Sequence, residues 1–207
     1  MYNYKTVKNE ASDFFIEKKS KFIGYAKPVA TEAEAVEFVK KIRSAHPDAT
    51  HNVYAYKVRD NNVQRYSDDG EPSGTAGIPT LDVIVKEDLT DICVVVTRYF
   101  GGTLLGAGGL VRAYTKGAKI AVDAALPVEK TYCFEYSVNV DYSMLSRVQQ
   151  EAAAMECIAG DAEYANDVTL KYFVPYALCG FEEKMIDATN GRAIIKKLGN
   201  GIYVDKK

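Results

Sequence analysis

The sequence has few of the features that mark metal enzymes or membrane proteins. It contains two histidines, His46 and His51, and no C-x-x-C pair, and no histidine stands at metal-ligand spacing. No apolar run approaches the roughly 20 residues of a membrane-spanning helix, and residues 1–5 show no apolar signal core. The cysteines are far apart and lie in apolar patterns, so we expect buried thiols in a cytoplasmic protein; they are Cys93, Cys133, Cys157 and Cys179.

The chain also lacks an excess of either charge. The formal net charge is −2; residues 1–130 carry 18 Lys and Arg against 17 Asp and Glu, and residues 131–207 carry 8 against 11. Neither half is basic enough to bind nucleic acid by bulk charge, so such a role needs a local patch of cations. The 207 residues suffice for one sizeable domain or two small ones.

The segment from Ser67 to Gly117 contains a short apolar run between two glycine-rich turns. The run at residues 92–96, ICVVV, is β-branched, which is typical of a strand buried on both faces. A glycine-rich loop follows, and a helical pattern begins after it. This order can present bare backbone N–H groups to an anion. The candidate residues for binding phosphate or nucleic acid are Arg98, Gly101, Gly102, Gly106, Gly108, Gly109, Arg112 and Lys116.

A purely structural role for this loop stays open. The glycines could make a tight turn that packs the helix on the sheet, with Arg98 and Arg112 paired to acids of the preceding loop. The loop matches neither the P-loop pattern nor a clean dinucleotide-binding fingerprint. The sequence therefore leaves both interpretations in place.

The acidic loop before the strand has two interpretations as well, for its candidates Asp68, Asp69, Glu71 and Ser73. Clustered carboxylates could hold Mg²⁺ or act as an acid and base pair. More often such a loop caps a helix, and Ser73 or Thr75 before a helical pattern over residues 76–86 favours the cap. The apolar residues at helical spacing are Ile78, Leu81 and Val85, together with Leu89 just after this range. We predict no metal and no cofactor, and we identify no catalytic residue; His51, at the start of a predicted strand, is the better histidine candidate.

The remaining patterns predict an α+β protein of two domains, residues 1–126 and 132–207. The first begins with a hairpin over residues 13–26, a helix after a capping box at Thr31, and a second hairpin over residues 51–66. The buried face of that helix is predicted as Ala35, Val36, Val39 and Ile42. A long helix from Gly109 to Leu126 ends the domain, and residues 127–131 form a linker because Pro127 ends the helix.

The second domain shows the order strand, helix, strand, strand, helix, strand, which is the βαββαβ order of ferredoxin-like domains. An RNA-binding sheet of the RRM kind would have paired aromatics and a basic motif on its central strands. Tyr172 and Phe173 are adjacent and therefore on opposite faces, and the domain is net acidic. We expect this domain to contact proteins.

Three segments, SDDGEPSGTAGIP, VVVTRYFGG and LGAGGLVRAY, resemble the IMPACT/YigZ family. The resemblance covers the whole chain, although these motifs all lie in the first domain. It implies that the first domain has the fold of the second domain of small-subunit ribosomal protein five. It also implies that the second is the small ferredoxin-like domain of bacterial members, similar to the last domains of elongation factor G, and that the protein regulates translation.

Three functions from different classes follow. We favour a translation-associated, non-enzymatic factor whose first domain binds RNA phosphate, the ribosome or a translation-control partner through the glycine-rich loop and its cations. The second is a binder or phosphotransferase of a small molecule or nucleotide that uses the same loop. The third is a protein-interaction adaptor.

Overall fold

The computed structural model of the chain describes residues 3–206, which form two compact α+β units. The first unit runs from Tyr4 to Val128, and the second begins at Glu129. Residues 1, 2 and 207, which the predicted domain ranges include, lie outside the described residues. No helix within residues 3–206 is both long enough and apolar enough to cross a membrane.

The first unit is built on a five-stranded antiparallel sheet. Its elements in chain order are β1 (Tyr4–Val7), β2 (Ala11–Glu17), β3 (Ser20–Pro28), α1 (Glu32–Ala45), β4 (His51–Val58), β5 (Val63–Ser67), α2 (Gly77–Lys86), β6 (Ile92–Tyr99) and α3 (Ala107–Ala124). The strands of the sheet lie in the order β2-β3-β6-β4-β5. The pairs β2–β3 and β4–β5 confirm both predicted hairpins.

The central strand β6 is buried on both faces, as its apolar run predicts. Val94 and Val96 pack with α2 and α3 on one face, and Cys93 and Val95 pack with α1 on the other. Side chains alternate across a strand, so a continuous apolar run fits a strand covered on both sides. The end of β6, which carries Arg98, therefore lies between β3 and β4.

The helix α3 begins at Ala107 and ends at Ala124, each two residues before its predicted limit. It packs closely on the sheet because two glycines meet. A Cβ on Gly24 of β3 would lie 2.1 Å from the carbonyl oxygen of Gly117, and a Cβ on Gly117 would lie 2.8 Å from Val96. The close approach fixes the path of α3, and with it the position of the loop that precedes it.

The predicted buried face of α1 is right at three positions, Ala35, Val39 and Ile42, and wrong at Val36, which is exposed. On α2, Ile78 and Val85 of the predicted helical register are exposed. The side chains buried on these helices include Phe38, Val83 and Ile84, which pack into the two cores on opposite faces of the sheet. Val36 lies off the stripe of buried residues 35, 38, 39 and 42, which has the spacing of a helix with one face on the core.

The second unit has the predicted order of elements. They are β7 (Pro127–Val140), α4 (Leu145–Ala154), β8 (Ile158–Tyr164), β9 (Val168–Pro175), α5 (Phe181–Thr189) and β10 (Ile194–Asp205). The pairs are antiparallel, with β7 between β9 and β10 and with β8 beside β9. Tyr172 is buried in the core with residues of α4 and α5, whereas its neighbour Phe173 is half-buried.

Residues 127–131, the predicted linker, are the first five residues of β7. The strand β10 extends to Asp205 and pairs with Lys130 and Thr131, which brings these residues into the sheet. The division between the two units falls between Val128 and Glu129. The prediction of four buried thiols is wrong for two of them, since Cys157 is half-buried and Cys179 is exposed.

Candidate functional site

The acidic loop caps the N-terminus of α2 through Asp68. One carboxylate oxygen accepts hydrogen bonds from the N–H groups of Ala76 (3.0 Å) and Gly77 (2.8 Å), and the other accepts one from Gly74 (2.9 Å). Burial raises the pKa of Asp68, but the three backbone donors outweigh it and hold the pKa below its ordinary value. The loop caps a helix as predicted, but the capping side chain is Asp68 and not Ser73 or Thr75.

The second carboxylate, Asp69, ties the loop to neighbouring elements. Its Oδ2 accepts from the N–H of Asn52 at 2.6 Å, and its Oδ1 accepts from Nη2 of Arg43 at 2.5 Å. Within residues 3–206, no group of three or more His, Cys, Asp and Glu side chains is placed to hold a metal ion. The carboxylates of Asp68 and Asp69 thus bond the loop to α2, to Asn52 of β4 and to Arg43 of α1.

The third carboxylate, Glu71, is buried beside Arg98. Its Oε1 accepts from Nη1 of Arg98 at 2.6 Å and from the hydroxyl of Tyr114 at 2.6 Å. Burial, and then the hydrogen bond to Glu71, raise the pKa of Tyr114 far above its ordinary value, so this phenol stays protonated. Arg98 is only 4% exposed, and its Nε is buried without a hydrogen-bond partner among the described residues.

His51 stands at the edge of the same group. Its Nδ1 lies 2.7 Å from the carbonyl oxygen of Asp69, which assigns the ring proton to Nδ1 because a carbonyl only accepts. Its Nε2 lies 3.8 Å from Oε1 of Glu71. The other histidine, His46, lies elsewhere, between the hydroxyls of Tyr25 and Tyr99 at 2.5 Å and 2.8 Å.

Arg98, Glu71 and His51 line a cleft of about 380 Å³ at the end of β6, which we call the Arg98 cleft. Its volume is within the range of small-molecule sites, roughly 300–1,000 Å³. Its other side is apolar and is formed by Phe100, Leu104, Leu105 and Leu110. The cleft therefore combines a buried polar floor with an apolar wall.

The N-terminus of α3 opens into the Arg98 cleft, since Gly106 and Ala107 line it. Gly106 is the N-cap, has φ 75°, and provides no side-chain cap. The first N–H group at this end of α3 that donates to a carbonyl is that of Leu110, which bonds the oxygen of Gly106 at 2.9 Å. The N–H groups of residues 107–109 have no partner within residues 3–206, as is usual for an uncapped helix start.

The other two predicted cations, Arg112 and Lys116, lie outside this cleft. They line a separate groove of about 210 Å³ together with Lys18 of the β2–β3 turn, and we call it the cationic groove. Glu17 and Phe15 also line it, and the ammonium of Lys116 lies 4.4 Å from the centre of the Phe15 ring. Within the described part of the chain, Arg112 has no acidic partner.

The predicted phosphate site is therefore divided. Gly106 and Arg98 belong to the Arg98 cleft, whereas Gly109, Arg112 and Lys116 belong to the cationic groove. Gly101 has a structural role instead: a Cβ there would lie 2.0 Å from the backbone of Lys19. The remaining candidates, Gly102 and Gly108, are exposed. The predicted alternative of acid pairing is right for Arg98 and wrong for Arg112.

Four contributing residues were not predicted from the sequence. Tyr114 lies on the apolar face of α3, where its buried hydroxyl needs a hydrogen-bond partner. That requirement could have indicated an acidic partner such as Glu71. Lys18 lies in a hairpin turn, and its place beside α3 depends on how the helix crosses the sheet. The exposed Phe100 and Leu104 gave a weaker signal, as apolar residues inside a glycine-rich loop.

Comparison with known proteins gives matches over both units. The Impact N-terminal domain matches residues 18–122, and a domain of unknown function, DUF1949, matches residues 138–192. The IMPACT family member YvyE of Bacillus subtilis is 39% identical over 208 residues, which cover 100% of this chain and 95% of that protein. YigZ of Escherichia coli is 34% identical over 178 residues, which cover 84% of this chain and 87% of that protein.

A solved structure extends this likeness to three dimensions. It is a crystal structure described as that of a hypothetical protein, with a TM-score of 0.61 and 30% identity, and the match covers 96% of this chain and 98% of that one. These matches bear out the resemblance carried by the three motifs of the first unit. The chain belongs to the IMPACT family, as a member of the bacterial two-domain YigZ/YvyE type with an Impact N-terminal domain followed by a DUF1949 domain.

Proposed function

We propose that the first domain binds the phosphate backbone of RNA in the cationic groove, and that the protein acts in the cytoplasm as a translation-associated factor that is not an enzyme. The observation that carries this proposal is the convergence of Lys18, Arg112 and Lys116 on one groove. With Glu17 the groove has a net charge of about +2, and such local charge attracts a polyanion even though the whole chain is slightly acidic.

We do not include Arg98, which the sequence predicted as a phosphate or nucleic-acid ligand, among the residues proposed to contact RNA. Its guanidinium is buried and already bonds Glu71, so a phosphate backbone that stays at the surface does not reach it. Phe15 in the groove offers an apolar surface beside the cations, and aromatic side chains next to cations are common where proteins hold single strands. The groove therefore supports binding without sequence preference.

The fold likenesses implied by the family support a role in translation. We propose that the first domain resembles the second domain of small-subunit ribosomal protein five and that the second domain is ferredoxin-like, similar to the last domains of elongation factor G. Both likenesses are to proteins of the translation machinery. The free cysteines are typical of a reducing cytoplasm.

The test is a titration of the full chain with single-stranded RNA and with ribosomes at several salt concentrations. Arg112→Ala and Lys116→Ala are each expected to weaken binding and to reduce the slope of log K against log salt by about 0.7 to 0.9 for each lost phosphate contact. Lys86→Ala is the matched control, because it removes one charge from an exposed lysine on α2, away from the groove. Unchanged slopes in both groove variants would overturn the proposal.

A further inference from the structure

The Arg98 cleft contains the start of α3 at Ala107, which does not line the cationic groove. The N–H groups of residues 107–109 begin an 18-residue helix and have no acceptor within residues 3–206; of these residues Ala107 lines the Arg98 cleft, whereas Gly109 lines the cationic groove. The positive end of such a helix attracts anions. A helix start of this kind is common, so a binding site needs an independent observation as well.

Arg98 provides that observation. The residue is 4% exposed and lines the same cleft, and its Nε is buried without a partner among residues 3–206. Buried polar groups in folded proteins are almost always hydrogen-bonded, so each exception requires an explanation. Arg98 and Ala107 line the same cleft, so an acceptor that entered it would meet both this residue and the N-terminus of α3.

The charges of the cleft permit an anion there. Glu71 is the carboxylate nearest to Arg98, and its Oε1 already accepts from both Arg98 and Tyr114. The Arg98 and Glu71 charges offset each other at short range, while the helix terminus adds partial positive charge. Asp69 faces the loop backbone and Arg43 instead.

The apolar wall indicates the rest of the ligand. Phe100 and Leu104 are exposed at 45% and 81%, and they lie next to the helix N-terminus on the rim of the cleft. Exposed apolar side chains that border a few convergent donors are typical of sites for small organic anions. A volume of about 380 Å³ admits a molecule of the size of a mononucleotide.

We propose that the Arg98 cleft binds a phosphate monoester, with the phosphate at the N-terminus of α3 beside Arg98 and the organic part against Phe100 and Leu104. The site is separate from the cationic groove and does not depend on the proposed RNA backbone contacts. Two sources share this chemistry: a free mononucleotide, and the terminal phosphate of an RNA strand. No covalent step is part of the proposal.

The test uses Ala107, which is exposed at the first position of α3. Ala107→Glu places a carboxylate where the phosphate would lie, and it does not weaken the helix, because acids in the first turn are favourable. Ala107→Gln is the matched control with nearly the same shape and no charge. The probes are AMP, adenosine and inorganic phosphate, followed on the full chain by the amide NMR signals of Gly106 and Ala107, which line the cleft, and by calorimetry.

We expect AMP, but not adenosine, to shift these amide signals, and we expect Ala107→Glu to weaken AMP binding by about tenfold or more while Ala107→Gln retains it. RNA with a 5′-phosphate, compared with the same RNA carrying a 5′-hydroxyl, distinguishes the second source: a preference lost in Ala107→Glu alone would assign the RNA end. The absence of any AMP-dependent shift, or equal losses in both variants, would overturn the proposal. Loss of RNA binding in Arg112→Ala with unchanged AMP binding would confirm that the two sites are separate.

Discussion

Arg98 and Arg112 come from the two sides of one glycine-rich loop, yet their surroundings are opposite. Arg98 ends the most buried strand of the sheet and is enclosed between Glu71 and two aromatic rings, those of Phe22 and Phe100. Arg112 lies one turn into α3, on the face directed to solvent, without an acidic partner among residues 3–206. The first belongs to a buried network of hydrogen bonds, and the second lines a groove with its side chain exposed.

The difference shows that a position next to a glycine loop does not by itself place a cation where an RNA backbone can reach it. A buried guanidinium loses its hydration and needs a fixed acidic partner, so Glu71 fixes Arg98 in the wall of the cleft. An exposed guanidinium keeps its hydration and is free to exchange water for phosphate. Substitutions at the two regions should therefore affect different measurements.

The largest effect is expected on stability from Glu71→Gln. This change keeps the shape of the side chain but leaves the Arg98 guanidinium buried without its counter-charge, which costs about 3–5 kcal/mol in the free energy of unfolding. Arg112→Ala should change the same quantity by no more than about 0.5 kcal/mol, because it is a surface substitution. Urea unfolding of the full chain, followed by circular dichroism, measures both.

The double variant Glu71→Gln with Arg98→Met tests whether the loss of stability in Glu71→Gln comes from the unpaired charge of Arg98 or from the loss of the carboxylate itself. It replaces the ion pair by uncharged side chains of similar volume, so most of the stability should return. If Glu71→Gln unfolds at the urea concentration of the unsubstituted chain, the network of Arg98, Glu71 and Tyr114 does not stabilise the fold and the contrast between the two arginines fails.

The local chemistry of the two regions could be predicted from sequence, whereas their separation could not. The strand at residues 92–96, the glycine loop and the helix after it follow from apolar period and glycine content alone. The placement of Arg112 on the exposed face of α3 follows from the helical period. For Arg98 the sequence left two alternatives, a contact with phosphate or a pair with an acid of the preceding loop. Spacing along the chain does not show which acids lie beside the end of a strand.

Two of the missed features depend on contacts between distant segments. Lys18 lines the cationic groove because α3 crosses the sheet where Gly24 and Gly117 meet. The residues around Lys18 in the sequence do not predict that crossing. In the same way β10 pairs with Lys130, which converts the predicted linker into part of β7. Sequence periods report which face of an element is apolar, but they do not report which element covers it.

A second prediction compares two glycines of the loop. Gly101→Ala should lower the free energy of unfolding by about 1–3 kcal/mol, because the added Cβ would overlap the backbone of Lys19 at 2.0 Å. Gly108→Ala should instead raise it by up to about 1 kcal/mol, because the residue is helical and its Cβ would meet only the end of the Arg112 side chain at 3.6 Å. Urea unfolding of the two variants measures this difference. A loss of stability in Gly108→Ala would show that the chain is as constrained at Gly108 as it is at Gly101.

The smallest effect is expected from His46, which lies apart from both regions. Burial, and then the nearby charge of Lys21, lower its pKa from the ordinary value of about 6.5. The unfolded chain therefore binds a proton more readily than the folded one, so stability should be full above pH 6.5 and fall as the pH drops through the folded pKa. The free energy of unfolding measured between pH 7.5 and 5 should fall less steeply in His46→Gln. Asp68, whose pKa is lowered, acts only at more acidic pH, and an equal slope in His46→Gln and the unsubstituted chain would contradict the assignment.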